Sequence, residues 1–171
     1  MKVVLVGYMA SGKSVIGQSL ANNLDLDFVD LDEFIENQMG LTIPEIFSKK
    51  GEIFFRKKEY ECLQELLNSN TSMVLATGGG TPCYGNNMQA ILDTSDLSVY
   101  LQLSIPSLVE RIKQGKQARP LVQKIADDDL PEFIGKHLFE RRSFYAMAKE
   151  TVFCDGKSVE EIATEIQNLL L

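Results

Sequence analysis

Val3-Val4-Leu5-Val6 is followed at once by Gly7-Tyr8-Met9-Ala10-Ser11-Gly12-Lys13-Ser14. The apolar run reads as a strand over about residues 2–7. Residues from Lys13 to about Leu24 read as a helix, with Val15, Ile16, Leu20 and Leu24 on or near one face. A strand, then G-x-x-x-x-G-K-S, then a helix is the P-loop pattern in its structural context. Gly7 and Gly12 permit backbone angles that a side chain would forbid. The loop can then turn successive N–H groups toward phosphate oxygens, and the helix adds the positive end of its dipole. The ligand class is therefore a nucleoside polyphosphate with Mg²⁺. Lys13 is placed to reach the β- and γ-phosphates, and the Ser14 hydroxyl to ligate the metal.

Outward from that loop, strand-like and helix-like segments alternate, which predicts α/β architecture: a parallel sheet with helices on both faces. Phe28-Val29 reads as a second strand ending at Asp30, and Leu31, Phe34, Ile35 and Met39 as a helical stripe stopped by Gly40. Pro44 suits the first turn of another helix. Beyond Gly51 a longer helix runs to about Leu67, with Tyr60, Leu63, Leu66 and Leu67 as its expected buried side. Met73 to Ala76 is a third strand, 86–92 a short helix, Leu97 to Leu103 a fourth strand, and Pro106 opens a helix to about Lys113. Residues 114–129 lose all periodicity and are expected to be mobile. A helix over about 131–148, a strand at 151–154 and a final helix complete the chain. Ser158 and Glu161 form a capping box for that last helix.

The chain has 171 residues, enough for one domain with a real core, and is 44% hydrophobic and 24% charged. No apolar run approaches the ~18 residues of a membrane helix. The amino-terminal stretch is too short for a signal peptide, and a cytoplasmic protein without membrane association is expected. A net charge of −7 argues against nucleic acid as a partner. Cys62, Cys83 and Cys154 are scattered, and free thiols in a reducing compartment are expected. His137 is the single histidine and is expected at the surface or as a cap.

In such a sheet the ligand sits at the carboxyl ends of the strands. Gly7–Ser14, Asp30–Asp32, Gly78–Gly80 and the 104–106 turn should therefore share one crevice. Neither the third nor the fourth strand ends in an acid, so Asp30 is the natural magnesium partner, through water. Asp32 is left to accept a proton or hydrogen bond from a substrate hydroxyl. As acids at a helix start, both also read as N-caps. Arg56, early in its helix, either has a specific partner or shares a solvated face with Lys57 and Lys58. Three consecutive glycines at 78–80 allow close approach of backbone to a ligand. Arg119, in the mobile segment, could stabilise a phosphoryl in flight; Arg141 and Arg142 add further cations.

Taken in order, the P-loop, Phe28-Val29-Asp30-Leu31-Asp32 with Ile35-Glu36, Gly51-Glu52-x-x-Phe55-Arg56, Gly78-Gly79-Gly80, Arg119-Pro120-Leu121 and Arg141-x-x-x-Tyr145 resemble the shikimate kinases. The match runs from about residue 2 to 154. The resemblance implies a three-layer α/β/α P-loop kinase fold with a five-stranded parallel sheet in the order 2-3-1-4-5. It implies a single kinase domain over residues 1–171, with a substrate-binding segment at about 31–60 and a lid at about 112–124. The implied reaction moves the γ-phosphoryl of ATP, with one Mg²⁺, to the 3-hydroxyl of shikimate, toward chorismate and the aromatic amino acids.

By position, the resemblance makes Lys13, Asp32 and Arg119 catalytic. It puts Asp32, Arg56, Gly78, Gly79, Gly80 and Arg141 on shikimate, with both arginines on its carboxylate. Ala10, Ser11, Gly12, Lys13, Ser14 and Val15, with Arg111 and Arg119, fall to ATP, and Ser14 and Asp30 to the metal. The loop after Cys154 should cover the base, and a monomer is expected. Two departures stand out: Ala10 where the family usually has glycine, and Val15 where it usually has threonine. A gluconate-kinase-like enzyme is the nearest rival; two converging arginines argue against a neutral polyol as the acceptor. The acceptor motifs of a nucleoside-monophosphate kinase are not evident. A guanine-nucleotide switch would carry Asn-Lys-x-Asp, which is absent.

Overall fold

A computed structural model describes all residues, 1–171. Five strands, β1 (Lys2–Val6), β2 (Asp27–Asp30), β3 (Met73–Ala76), β4 (Leu97–Gln102) and β5 (Glu150–Phe153), form one sheet in the order β2-β3-β1-β4-β5. All four pairings are parallel. Val3, Val4, Leu5 and Val6 are fully buried. Consecutive strand residues point to opposite faces, so both faces of β1 are covered. That explains why its sequence is a continuous apolar run rather than an alternating one.

Eight helices surround the sheet: α1 (Lys13–Leu24), α2 (Leu31–Met39), α3 (Ile43–Lys50), α4 (Glu52–Asn68), α5 (Asn87–Thr94), α6 (Ile105–Gln114), α7 (Leu130–Tyr145) and α8 (Val159–Asn168). Helix α1 packs on α8, α4 on α2, α3 and α5, and α6 on α7. The sequence punctuates these elements as expected. Gly40 ends α2 in the left-handed conformation, Pro44 lies in the first turn of α3, and Ser158 and Glu161 make a reciprocal capping box on α8. No helix is long and apolar enough to cross a membrane.

Several expectations need correction. Val15 does not join the buried stripe of α1: it is 60% exposed, because the stripe is Ile16, Leu20 and Ala21. Tyr60 is 48% exposed, and the buried face of α4 instead runs through Phe55, Glu59, Cys62, Leu63 and Leu66. Helix α7 stops at Tyr145, three residues early, and Leu169 lies exposed beyond the end of α8. Residues 114–129 are not featureless. They hold 3₁₀ turns at Lys116–Ala118 and Asp127–Asp129, an ion pair of 3.0 Å between Lys116 and Asp127, and a fully buried Val122. His137 is neither a cap nor a surface residue; it is half-buried and bonded to Tyr8.

Candidate active site

The carboxyl ends of β1, β2 and β3 open into a cleft of about 430 Å³ lined by Gly12, Lys13, Ser14, Asp30, Asp32 and Gly78, with Arg111 and Arg119 at its margin. Gly12 has φ +94° and caps α1 without any side-chain bond. The first N–H groups of that helix therefore remain available to an anion. Ala10 has φ +64°, a left-handed angle that disfavours a side chain; this is the site where the related pattern has glycine.

Lys13 Nζ donates to the carbonyls of Gly7 at 2.7 Å and Tyr8 at 3.0 Å, drawing the loop around itself. Burial lowers its pKa to about 8, opposed by the carboxylates of Asp32 and Asp30. Ser11 stands apart from the other loop residues. It is buried, and its N–H already donates to the Tyr8 carbonyl at 3.2 Å. Val15 lines the cleft, as does Ala10.

Asp30 caps its helix, as its position suggested, and also meets the P-loop. Its Oδ1 accepts from the N–H groups of Asp32 at 3.0 Å and Glu33 at 3.3 Å, capping α2. Its Oδ2 accepts from Ser14 Oγ at 2.5 Å. A hydroxyl and a carboxylate so close together, beside free helix N–H groups, suit a hard cation whose remaining ligands are phosphate and water oxygens. Asp32 lies one residue further on. Burial, then the like charges of Asp30 and Glu59, raise its pKa to about 6, while Lys13 pulls it down.

The glycine triplet is held in place by Tyr145, whose hydroxyl donates to the Gly79 carbonyl at 2.5 Å. None of the three glycines has a positive φ; room, not torsion, is what they supply. A Cβ on Gly78 would lie 3.0 Å from Asp32 Oδ1, one on Gly79 3.6 Å from Arg141 Nη1, and one on Gly80 2.8 Å from Arg56 Nη2. Gly78 and Gly80 thus leave room for Asp32 and Arg56, while Gly79 is crowded first by the Met9 backbone N at 3.3 Å, with Arg141 in ordinary contact range.

Arg56 and Arg141 line a second cleft, of about 950 Å³, together with Phe47 of α3, Pro120, Leu121 and His137. The Arg56 guanidinium lies over the Tyr84 ring, 3.8 Å from its centroid, and bonds Glu59 at 2.9 Å. Arg141 has no carboxylate in salt-bridge reach. Its charge is therefore free for an anionic ligand. Arg119 Nε is buried without a hydrogen-bond partner, and an anion in the first cleft would answer that unmet donor. Arg111 Nη1 donates to the Ala10 carbonyl at 3.3 Å, laying its guanidinium along the loop. The 104–106 turn does not line the first cleft. The Ser104 N–H instead donates to Asp155, in the loop after Cys154, at 3.1 Å.

Glu59 escaped the sequence reading. It is 1% exposed and bridges Arg56 to Thr81 Oγ1, which donates to it at 2.9 Å. The signal was its place four residues after Phe55 and four before Leu63, on the face that turns inward.

The chain resembles known proteins over nearly its whole length. A family model described as Shikimate kinase matches residues 9–171. A shikimate kinase of Flavobacterium psychrophilum is 46% identical over 169 residues, covering 99% of this chain and 98% of the relative. One of Flavobacterium johnsoniae is 42% identical over the same share of each. Among solved structures, a shikimate kinase from Bacteroides thetaiotaomicron superposes with a TM-score of 0.91 at 34% identity, covering 99% and 98% of the two chains. The Acinetobacter baumannii enzyme, solved in complex with shikimate, gives 0.89 at 32% identity, covering 99% and 92%.

Proposed function

The chain belongs to the shikimate kinase family, and we propose how its own residues divide the work of moving the γ-phosphoryl of ATP to the 3-hydroxyl of shikimate. It is an ATP-dependent kinase with a small-molecule alcohol as acceptor. The observation that carries the division of labour is the glycine triplet, whose Cβ positions face Asp32, Arg141 and Arg56 in succession, between the P-loop cleft and the two-arginine cleft.

ATP takes the first cleft. The free N–H groups of α1 and Lys13 hold the β- and γ-phosphates, Arg119 approaches from the lid, and Arg111 flanks the base. Ser14 directly, and Asp30 through water, hold Mg²⁺. When bound, that ion neutralises phosphate charge. Shikimate takes the second cleft, its carboxylate gripped by Arg56 and Arg141. Planar guanidinium forks suit such a carboxylate in two-point contact. Its ring hydroxyls face Asp32 and the backbone of Gly78–Gly80. Asp32 orients the 3-hydroxyl and accepts its proton as the oxygen–phosphorus bond forms. Phosphoryl transfer asks mainly for alignment and charge neutralisation, so a carboxylate of modest basicity is sufficient. Closure of the segment at about 112–124 excludes water and limits idle ATP hydrolysis. The protein works as a cytoplasmic monomer, one kinase domain with its acceptor-binding segment at about 31–60.

An ADP-release assay with ATP and Mg²⁺ tests this against shikimate, quinate, gluconate and nucleoside monophosphates. Turnover with shikimate and not with the nucleoside monophosphates is expected. Turnover of shikimate methyl ester equal to that of shikimate would remove the carboxylate clamp from the account. Arg56→Lys and Arg141→Lys should each weaken acceptor binding by about 1.5–3 kcal/mol, the scale of a charge-assisted bond, and leave ATP binding unchanged.

A further inference from the structure

Tyr8 and His137 lie 129 positions apart, yet the Tyr8 hydroxyl and His137 Nδ1 are 2.8 Å apart. Tyr8 belongs to the P-loop and is 1% exposed. Its hydroxyl has no other protein partner, and a buried O–H must donate somewhere. It therefore donates to Nδ1. A neutral imidazole that accepts at Nδ1 carries its proton on Nε2. Burial, then the Arg141 guanidinium, lower the His137 pKa, and burial raises that of Tyr8, so both stay neutral near pH 7.

The imidazole is also fixed in orientation. The Tyr8 ring meets it edge-on at 5.3 Å between centroids, and the Phe133 ring packs against it at 5.5 Å. His137 precedes Arg141 by one turn of α7, so the two share a helix face, and both line the cleft that contains Arg56. Nε2 has no protein partner, and it is not among the buried atoms that lack one. It is thus a donor with a set direction, open to the acceptor cleft beside two arginines.

We propose that His137 is a further substrate-binding residue, whose Nε2–H donates to the carboxylate of the acceptor, and that Tyr8 acts as the positioning residue that fixes its tautomer. The inference rests on shikimate being the acceptor. It adds a neutral third donor to the arginine pair, and it ties that donor to the nucleotide loop, because the Tyr8 carbonyl also accepts from Lys13.

Because the chain has a single histidine, the imidazole region of a ¹H–¹⁵N spectrum reports His137 alone. The spectrum should show the Nε2–H tautomer, and saturating shikimate should shift the Nε2 resonance. Tyr8→Phe should erase the tautomer preference while keeping the ring packing. In steady state, His137→Leu should raise the shikimate KM about tenfold, the scale of one lost hydrogen bond to a charged group, with the ATP KM unchanged. His137→Gln, which keeps a donor near the Nε2 position, should recover most of that loss. With shikimate methyl ester as acceptor, the gap between wild type and His137→Leu should narrow. An unmoved Nε2 resonance, an unchanged KM in His137→Leu, or a Gln variant as impaired as the Leu variant would overturn the assignment. Failure of the wild-type protein to phosphorylate shikimate would instead refute the acceptor itself, an outcome visible before any variant is made.

Discussion

Arg56 Nη1 sits 2.9 Å from Glu59 Oε1, one helical turn away, and Glu59 is almost wholly out of water. The carboxylate is held on its other side by the Thr81 hydroxyl, next to the glycine triplet. Arg56 is therefore aimed before any ligand arrives, which reduces the side-chain ordering that binding would otherwise require. The same contact offsets part of the positive charge that the substrate carboxylate would meet, leaving Arg141 as the unpaired cation.

Glu59→Gln is expected to release Arg56 without changing the shape of the site. The shikimate KM should rise about tenfold, the ATP KM should hold, and the melting temperature should fall as the buried charge pair is lost. Initial-rate kinetics against each substrate, with a thermal melt alongside, check this. A fall in melting temperature with an unaltered shikimate KM would make Glu59 purely structural.

The two strongly shifted groups of the first cleft set the pH window. Asp32 is ionised only above about 6, and Lys13 loses its charge above about 8. Both charges are needed, so kcat/KM for shikimate should climb through about pH 6, level off, and decline through about pH 8. The two groups interact, so these limbs belong to the pair. A profile flat from pH 5 to 9 would mean that neither group acts in transfer.

Asp32 also bears on stability. Its folded-state pKa of about 6 lies above its ordinary value of 3.8. The folded protein thus binds this proton more tightly than the unfolded chain does. Ionising Asp32 therefore costs stability, not at all below about pH 4 and fully above about pH 6. Asp32→Asn should add about 1–3 kcal/mol at pH 7.5 while lowering kcat by orders of magnitude. Denaturant melts at pH 7.5 and pH 4 measure it: the gain should vanish at the lower pH. A destabilised Asn variant at pH 7.5 would contradict the burial argument.

Much of this was readable from the chain. The P-loop, the order of strands and helices and the caps at Gly40 and Ser158 are local patterns, each set by residues within a few positions of one another. The pieces that were missed depend on distance or on a conflict of signals. In α4 hydropathy favours Tyr60 as the buried residue. Periodicity from Phe55 to Leu63 puts Glu59 there instead, and Arg56 and Thr81 make a carboxylate tolerable at that position. Tyr8 and His137 meet only because the P-loop and α7 converge at one end of the sheet, and no spacing rule spans 129 residues. The segment at 114–129 lacks a period because its order rests on single contacts, Val122 in the core and Lys116 against Asp127, and not on a repeating face.

Two glycines separate function from stability. At Gly80 an added Cβ would lie 2.8 Å from the Arg56 guanidinium, the far end of a long side chain that can swing aside. Gly80→Ala should therefore raise the shikimate KM several-fold, because Arg56 must leave its position, and should lower the melting temperature only as far as its pair with Glu59 is loosened. At Gly17, inside α1, alanine would ordinarily favour the helix by about 1 kcal/mol. There, however, the Cβ would come within 2.6 Å of Phe28 Cε2, a ring packed between α1 and β2. Overpacking of that kind costs about 1–3 kcal/mol and outweighs the helix gain. Gly17→Ala should lower stability while both Michaelis constants stay near wild type. Thermal melts and initial rates on the two variants decide the matter. If Gly80→Ala instead lost stability with its acceptor KM intact, the triplet would serve the fold and not the clamp.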